Sequence, residues 1–138
     1  MANILGYNRD TAFALTAAAT LAVGQLAGIN SDGAAVLADA DATTPIQAVG
    51  VVVKGGASGD RVTLAPQAKV EDPTLSLTPG DRLYTSDTAG AVTGTKPSTA
   101  TDHIQAVGFA ISATQFLVNC VPSSIGVQAS GNSTVAFV

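Results

Sequence analysis

Apolar and polar residues alternate along several short segments of this chain. From Phe13 to Val23 the odd positions are apolar, and small polar residues such as Thr16 and Thr20 lie between them. A period of two predicts a strand with one buried face, although the alanine run Ala17–Ala19 also permits a short helix. Elsewhere short apolar runs are separated by Gly, Pro and Asn, and no segment has a long helical period. The pattern therefore predicts an all-β protein.

The chain contains an internal repeat. The pentapeptide Ile-Gln-Ala-Val-Gly occurs at Ile46–Gly50 and again at Ile104–Gly108. Upstream of the two copies, Leu21–Gly24 corresponds to Leu77–Gly80 at a similar spacing. We therefore predict two similar β-units, at 21–66 and 77–122, that pack face to face or close into one small barrel, because each alone would leave its apolar face in water.

Turn residues divide each copy of the repeat into hairpins. Asp32-Gly33 supplies the positive φ that a tight turn needs, and Gly59-Asp60 and Gly80-Asp81 each precede a short apolar run. The predicted fold is a small β-barrel or sandwich built from two similar units. In it, Ile46–Val53 and Ile104–Ile111 should be equivalent central strands.

The repeat region leaves a segment at each end of the chain. Residues 1–20 are expected to form an N-terminal arm or a first strand, and residues 21–122 the β-domain. Residues 123–138 are expected to form an extended C-terminal tail, which is either a final strand added to a neighbour or a flexible arm.

The last 36 residues, from His103 onward, contain no Lys, Arg, Asp or Glu. Uncharged strands with open edges invite pairing, so a chain that carries them usually buries them against another subunit. We therefore expect an oligomer. The residues expected at the subunit interface are Val107, Phe109 and Ile111.

Composition excludes several classes of function. Only 12% of the residues are charged, and the net charge is -4, which argues against a surface that binds nucleic acid. The uncharged stretch from Thr11 to Ser31 is too diluted by polar residues for a signal peptide or a membrane span. The single cysteine, Cys120, lies in an apolar run and is expected to be a small buried hydrophobe.

Candidate chemistry is sparse. His103 is the only histidine, so the sequence predicts no metal cluster and no catalytic triad. The pair Asp39 and Asp41 is interpreted as a solvated acidic loop rather than a calcium site. The glycine-rich Lys54–Gly59 lacks the residue order of a phosphate-binding loop and is interpreted as a hairpin loop. No catalytic, cofactor-binding or metal-binding residue is predicted, and the chain is not expected to be an enzyme.

Residues 77–114 carry a resemblance to a known family. The segments Leu77–Thr93, which includes Gly-Asp-Arg-Leu-Tyr, and Pro97–Thr114, which includes Val-Gly-Phe-Ala, resemble small virion proteins of tailed bacteriophages, above all capsid decoration or cement proteins. The first repeat matches the pattern loosely, and residues 1–20 do not match it. The resemblance implies a homotrimeric β-protein on the outer surface of the capsid that binds the major capsid protein.

Two other functions stay open from the sequence. One is a component of a phage tail or fibre, and the other is a small carbohydrate-binding or ligand-binding β-module. For the virion interpretation no membrane partner and no cofactor are expected, and the protein would be made in the cytoplasm of the host bacterium.

The N-terminal segment is the expected site of capsid contact. Aromatic side chains on an arm can anchor it across a partner, and Tyr7, Arg9 and Phe13 are the expected contact residues. The alternative is a frayed terminus or a first strand of the same subunit.

Overall fold

The computed structural model describes residues 2–41, 45–97, 103–120, 125–128 and 135–137. Within these ranges the chain forms two antiparallel β-sheets and no helix, so the all-β prediction is confirmed. Neither sheet is closed into a barrel, and the sandwich-like alternative fits the arrangement of the two sheets.

Sheet B has the strand order β2-β6-β5-β3-β4. The Arg-Val-Thr-Leu of β6 alternates polar and apolar residues, whereas β5 contains the continuous apolar run Val51–Val53. Their bounds are β2 Phe13–Thr16, β3 Leu26–Ile29, β4 Ala35–Leu37, β5 Gly50–Lys54 and β6 Arg61–Ala65.

Sheet A has the strand order β1-β7-β11-β10-β12-β13, and β8 pairs with both β10 and β9. The chain passes from sheet B to sheet A at Pro66, which lies directly between β6 and β7. The bounds are β1 Asn3–Tyr7, β7 Gln67–Glu71, β8 Arg82–Thr85, β9 Val92–Thr93, β10 His103–Ala110, β11 Gln115–Asn119, β12 Ile125–Gln128 and β13 Val135–Phe137.

The two repeats have the same strand pairing. In the first repeat β3 pairs with β4 and β5, and β5 pairs with β6; in the second, β8 pairs with β9 and β10, and β10 pairs with β11. The turns before β3 and β8 also correspond, since Gly24 and Gly80 both have positive φ, of 91° and 86°. Their N–H groups donate to equivalent carbonyls, Gly24 to Val52 and Gly80 to Ala110.

A close approach of neighbouring strands explains the glycine that ends the repeated pentapeptide. A Cβ on Gly108 would overlap the carbonyl oxygen of Leu117 in β11, and one on Gly50 would lie 3.0 Å from the backbone of Ala65 in β6. Both positions therefore favour a residue without a side chain.

The main core lies between the sheets and draws on both repeats. Leu26, Val51 and Ala65 of sheet B pack in one buried cluster with residues of sheet A such as Val70 and Phe116. A second cluster, which includes Val52, Val62 and Leu64, lies on the other face of sheet B. Because Val51 and Val52 point to opposite faces, sheet B is buried on both sides.

The second cluster is covered by the segment that follows β2. Strand β2 ends at Thr16, and Ala17 then forms a single bridge with Ala35 at the opposite edge of sheet B. Leu21 is buried and exchanges backbone hydrogen bonds with Gly56. The regular alternation from Phe13 to Val23 therefore does not form one strand, because the residues after Thr16 bond to β4 and to the loop between β5 and β6 instead of continuing the pairing with β6.

One buried polar side chain joins the repeats. Gln105 is 2% exposed, its Nε2 donates to the carbonyl oxygen of Ala48 at 2.8 Å, and its Oε1 accepts from the Ala48 N–H at 2.8 Å. The Thr85 hydroxyl donates to the same Oε1 at 3.4 Å. The side-chain amide of Gln105 thus forms the two hydrogen bonds with the Ala48 backbone that a residue of a neighbouring strand would form.

At the N-terminus the structure has the first-strand alternative rather than an arm, and the described residues of the C-terminal segment also form strands. Residues Asn3–Tyr7 form β1, which pairs with β7 at the edge of sheet A, and Phe13–Thr16 form β2 at the edge of sheet B. In the C-terminal segment β12 pairs with β10 of the same chain, and β13 pairs with β12. Each terminal segment therefore supplies strands to this chain's own sheets. The first central strand is also shorter than predicted, since β5 begins at Gly50 rather than Ile46.

Candidate partner-binding surface

Tyr7 and Arg9 lie together at the edge of sheet A. Tyr7 is 37% exposed, and the Arg9 guanidinium lies 5.8 Å from the centre of its ring, a distance at which a cation and an aromatic ring attract each other. Asn8, between them, donates from Nδ2 to Oε1 of Gln67 at 3.2 Å and from its N–H to the Gln67 carbonyl. These contacts hold the aromatic and the cationic side chain at the surface as one group.

A shallow groove of about 300 Å³ lies beside this group. Gly6 is one of the residues that line the groove, and a Cβ at this position would meet no other atom within 4 Å. The groove is lined mainly by β1, β7 and β11, and the polar side chains along it include Gln67, Lys69 and Asn119. Such a groove offers amide donors and acceptors to a partner.

A row of four side chains crosses the outer face of sheet A next to the groove. Strand pairing places Arg82 beside Phe109, Phe109 beside Leu117, and Leu117 beside Lys69. Phe109 is 47% exposed, Leu117 is half-buried and the two cations are exposed. We call these four residues the outer row. It presents two apolar side chains between two positive charges.

The three predicted capsid-contact residues do not form one site. Tyr7 and Arg9 are adjacent, whereas Phe13 lies on β2 of sheet B, opposite Leu64. Phe13 is half-buried and packs against the second core cluster. Its contribution is to the packing of sheet B, and only Tyr7 and Arg9 form an exposed group.

The three predicted interface residues also separate. Val107 is fully buried in the main core, so in this fold its side chain is not available to a second subunit. Phe109 and Ile111 are exposed. The bulge in the pairing of β8 with β10, between Ala106 and Gly108, locally breaks the alternation that placed Val107 and Phe109 on one face.

The described residues hold no cluster of three or more His, Cys, Asp or Glu side chains that could bind a metal ion. His103 is half-buried, and its N–H donates to the carbonyl of Ala40. Asp39 accepts the N–H of Asp41 at 2.9 Å, which is a local turn contact. Lys54–Gly59 connects the antiparallel strands β5 and β6, so its interpretation as a hairpin loop is confirmed.

Cys120 is buried, as predicted. It is 8% exposed, and burial raises the pKa of its thiol to about 12. A thiol with that pKa stays protonated at neutral pH, and since the thiolate is the reactive form, it is a poor nucleophile.

The larger cavity, about 560 Å³, lies near Gly24 and Gly90. Asp72 is the titratable side chain in its lining. Hydrogen bonds from the Thr74 hydroxyl and N–H keep the pKa of this carboxyl below its usual value.

Sequence reasoning did not find Leu117, Lys69 or Arg82 as members of an exposed row. The four residues of the outer row come from four different strands, so only the pairing of those strands shows that they are neighbours. The buried role of Gln105 was also missed, although the second copy of its pentapeptide pointed to the position.

No protein-family model matches this chain, and no curated protein is significantly similar to it. In the part of the chain that the structure describes, no helix is long and apolar enough to cross a membrane.

Proposed function

We propose that this chain is a non-enzymatic virion protein that binds the outer surface of an assembled bacteriophage capsid, as a homotrimer, and stabilises it. The observation that carries the proposal is the edge and outer face of sheet A: the Tyr7 and Arg9 group lies at the edge, and the groove and the outer row lie on the outer face beside it. This is a broad and shallow surface, which suits a large protein partner rather than a small substrate. The resemblance of residues 77–114 to decoration proteins supports the same function.

The Tyr7 and Arg9 group is the proposed capsid contact. Aromatic and arginine side chains dominate the binding energy of many protein interfaces. The end of β1 and the turn that follows it present both at the sheet edge, three strand spacings or about 14 Å from Phe109 on β10. One sheet can therefore contact a capsid subunit at this edge and another partner on its face.

Stabilisation needs no catalytic group. A protein that binds the assembled shell but not its dissociated subunits shifts the equilibrium towards the shell by mass action. The effect grows with the concentration of the free protein relative to its dissociation constant.

Co-sedimentation with purified empty heads that lack this protein tests the proposal. We expect saturable binding at a fixed number of copies per head, and a higher temperature of head disruption. Replacing Tyr7 and Arg9 together with Ala should weaken binding by at least about tenfold. Arg61→Ala is the matched control, because Arg61 is exposed on sheet B, and it should bind like the wild type. A folded protein that does not sediment with heads would refute the function, and full binding by the double variant would refute the contact.

The groove favours one second candidate, a carbohydrate-binding module. Its amides at Gln67 and Asn119, with Tyr7 beside them, are groups that bind sugars. However, the Arg9 guanidinium occupies one face of the Tyr7 ring, which restricts stacking of a sugar there. Binding on a glycan array that is lost in Gln67→Ala would favour this candidate.

A further inference from the structure

Equivalent residues of the two repeats lie on a sheet face that is buried in sheet B and exposed in sheet A. The repeated pentapeptides end at Gly50 and Gly108, so Val51 and Phe109 follow as equivalent residues. Val51 is paired with Leu26 and Ala65, and Phe109 is paired with Arg82 and Leu117. The outer row of sheet A is therefore the counterpart of Leu26, Val51 and Ala65 in sheet B.

In sheet B this face is completely covered. Leu26, Val51 and Ala65 are each fully buried, and they pack in the cluster that includes Ala68 and Val118 from the inner face of sheet A. Sheet A, which contains the strands of the second repeat, therefore covers this face of sheet B. Within one chain, the fold already uses sheet-on-sheet packing at this position.

Among the residues that the structure describes, no such layer covers the equivalent face of sheet A. Phe109 is exposed where Val51 is buried, and Ile111 is exposed where its counterpart Val53 packs against the main core. Exposed apolar side chains that are contiguous on one face mark surfaces for protein association.

We propose that the outer row binds a second copy of this chain, sheet against sheet, as its counterpart in sheet B binds sheet A. The outer row would then be the subunit interface of the homotrimer. This inference rests on the proposed function only for the number of copies, three. Charge supports a second copy as the occupant: the chain carries a net charge of -4, whereas the row carries Arg82 and Lys69. On the same face Glu71 accepts a hydrogen bond from Gln115 at 3.0 Å.

Charge also indicates how the copies meet. If two outer rows faced each other across a twofold axis, Arg82 and Lys69 of one copy would each lie opposite a cation of the other. Like charges placed together across an interface oppose association. The row therefore binds a different surface of the next copy, and a contact between different surfaces closes into a ring when its rotation allows. A trimer is one such ring.

Sedimentation velocity on the purified protein, without heads, tests the proposal. Phe109→Lys should weaken self-association by at least about 30-fold, the effect of losing a strong interface residue. Ile29→Lys is the matched control, because Ile29 is 44% exposed on sheet B and Phe109 is 47% exposed on sheet A. The control should leave association unchanged. A wild-type protein that is still a monomer at about 100 μM, where a Kd corresponds to about -5.5 kcal/mol, or equal effects of the two variants, would refute the proposal.

Thiol labelling provides a test that does not depend on introducing a charge. Native Cys120 is buried, so a new thiol in Phe109→Cys or Ile29→Cys is the group that reacts with a maleimide. We expect Phe109→Cys to react slowly at high protein concentration and faster on dilution, and Ile29→Cys to react fast at both. Equal rates at both concentrations for Phe109→Cys would contradict the proposal. Because heads are absent, failure here is separate from failure of capsid binding.

Discussion

At the scale of single residues, burial decides what each side chain does in this protein. Gln47 and Gln105 occupy the same position in two identical pentapeptides. Gln47 is half-buried, whereas Gln105 is buried and satisfies both backbone groups of Ala48. A buried polar group without a partner costs free energy, so the amide of Gln105 is a structural requirement.

We expect Gln105→Ala to lower the free energy of unfolding by about 2 to 4 kcal/mol, because it leaves the N–H and the carbonyl of Ala48 buried and unpaired. Gln47→Ala, at the equivalent position, should cost less than about 1 kcal/mol. Urea unfolding followed by circular dichroism measures both. Equal costs would show that the two buried hydrogen bonds contribute little.

Cys120 gives a prediction of pH dependence. In the unfolded chain its thiol ionises near its ordinary pKa of 9.0, and in the folded protein burial raises the pKa to about 12. Ionisation therefore favours the unfolded state: the stability from this group is complete below about pH 9 and is lost as the pH rises towards 12.

At pH 10.5 this effect should remove about 2 kcal/mol from the wild type relative to pH 8. Urea unfolding at the two pH values, compared with the same pair for Cys120→Ala, isolates the thiol from other titrating groups. The variant should lose less stability over this range. The same loss in both proteins would mean that the thiol is accessible to water in the fold.

At the scale of elements, the N-terminal strand β1 completes the edge of sheet A. It pairs with β7 over Asn3–Tyr7, and the partly buried Ile4 packs against the main core. An edge strand that is bound by a ladder and an apolar contact is ordered before any partner binds. This differs from an arm that becomes ordered only on binding.

Deletion of residues 2–10 should therefore speed amide hydrogen exchange in β7, which loses its ladder partner. Strand β5 of sheet B is the internal control, since it pairs with β3 and β6, and its exchange should change little. Exchange measured by NMR checks this. Unchanged protection of β7 would indicate that the N-terminus is an arm in solution.

At the scale of the whole molecule, the two repeats share one core. The main cluster contains Leu26 and Val51 from the first repeat and Leu83 and Phe116 from the second. Neither repeat can unfold without exposing apolar surface of the other, so we expect one cooperative transition.

Val51→Ala should lower the stability of the whole chain by about 2 kcal/mol. Tyr84 lies in the second repeat, so its fluorescence in a Tyr7→Phe background reports on the other sheet. The Tyr84 transition should shift together with the circular dichroism transition. Val23→Ala, at an exposed residue, is the control and should shift neither by more than about 0.5 kcal/mol. If Val51→Ala left the midpoint of the Tyr84 transition unchanged, the two repeats would unfold independently.

Most of the local structure could be predicted from the order of residues along the chain. Alternation predicted strands, glycines such as Gly24 and Gly80 marked the turns, and the repeated pentapeptide identified β5 and β10 as corresponding strands. These features depend on neighbours along the chain, so they can be read from its pattern. The buried state of Cys120 also followed from the apolar run around it.

Which face of each strand is covered depends on how the two sheets pack together. Val51 and Phe109 are equivalent by sequence, yet one lies in the core and the other at the surface. Val107 was expected at an interface and lies in the core. Periodicity states that a strand has two faces, but the layer that covers a face comes from residues far away along the chain. The outer row, made of four residues from four strands, exists only once those strands are paired.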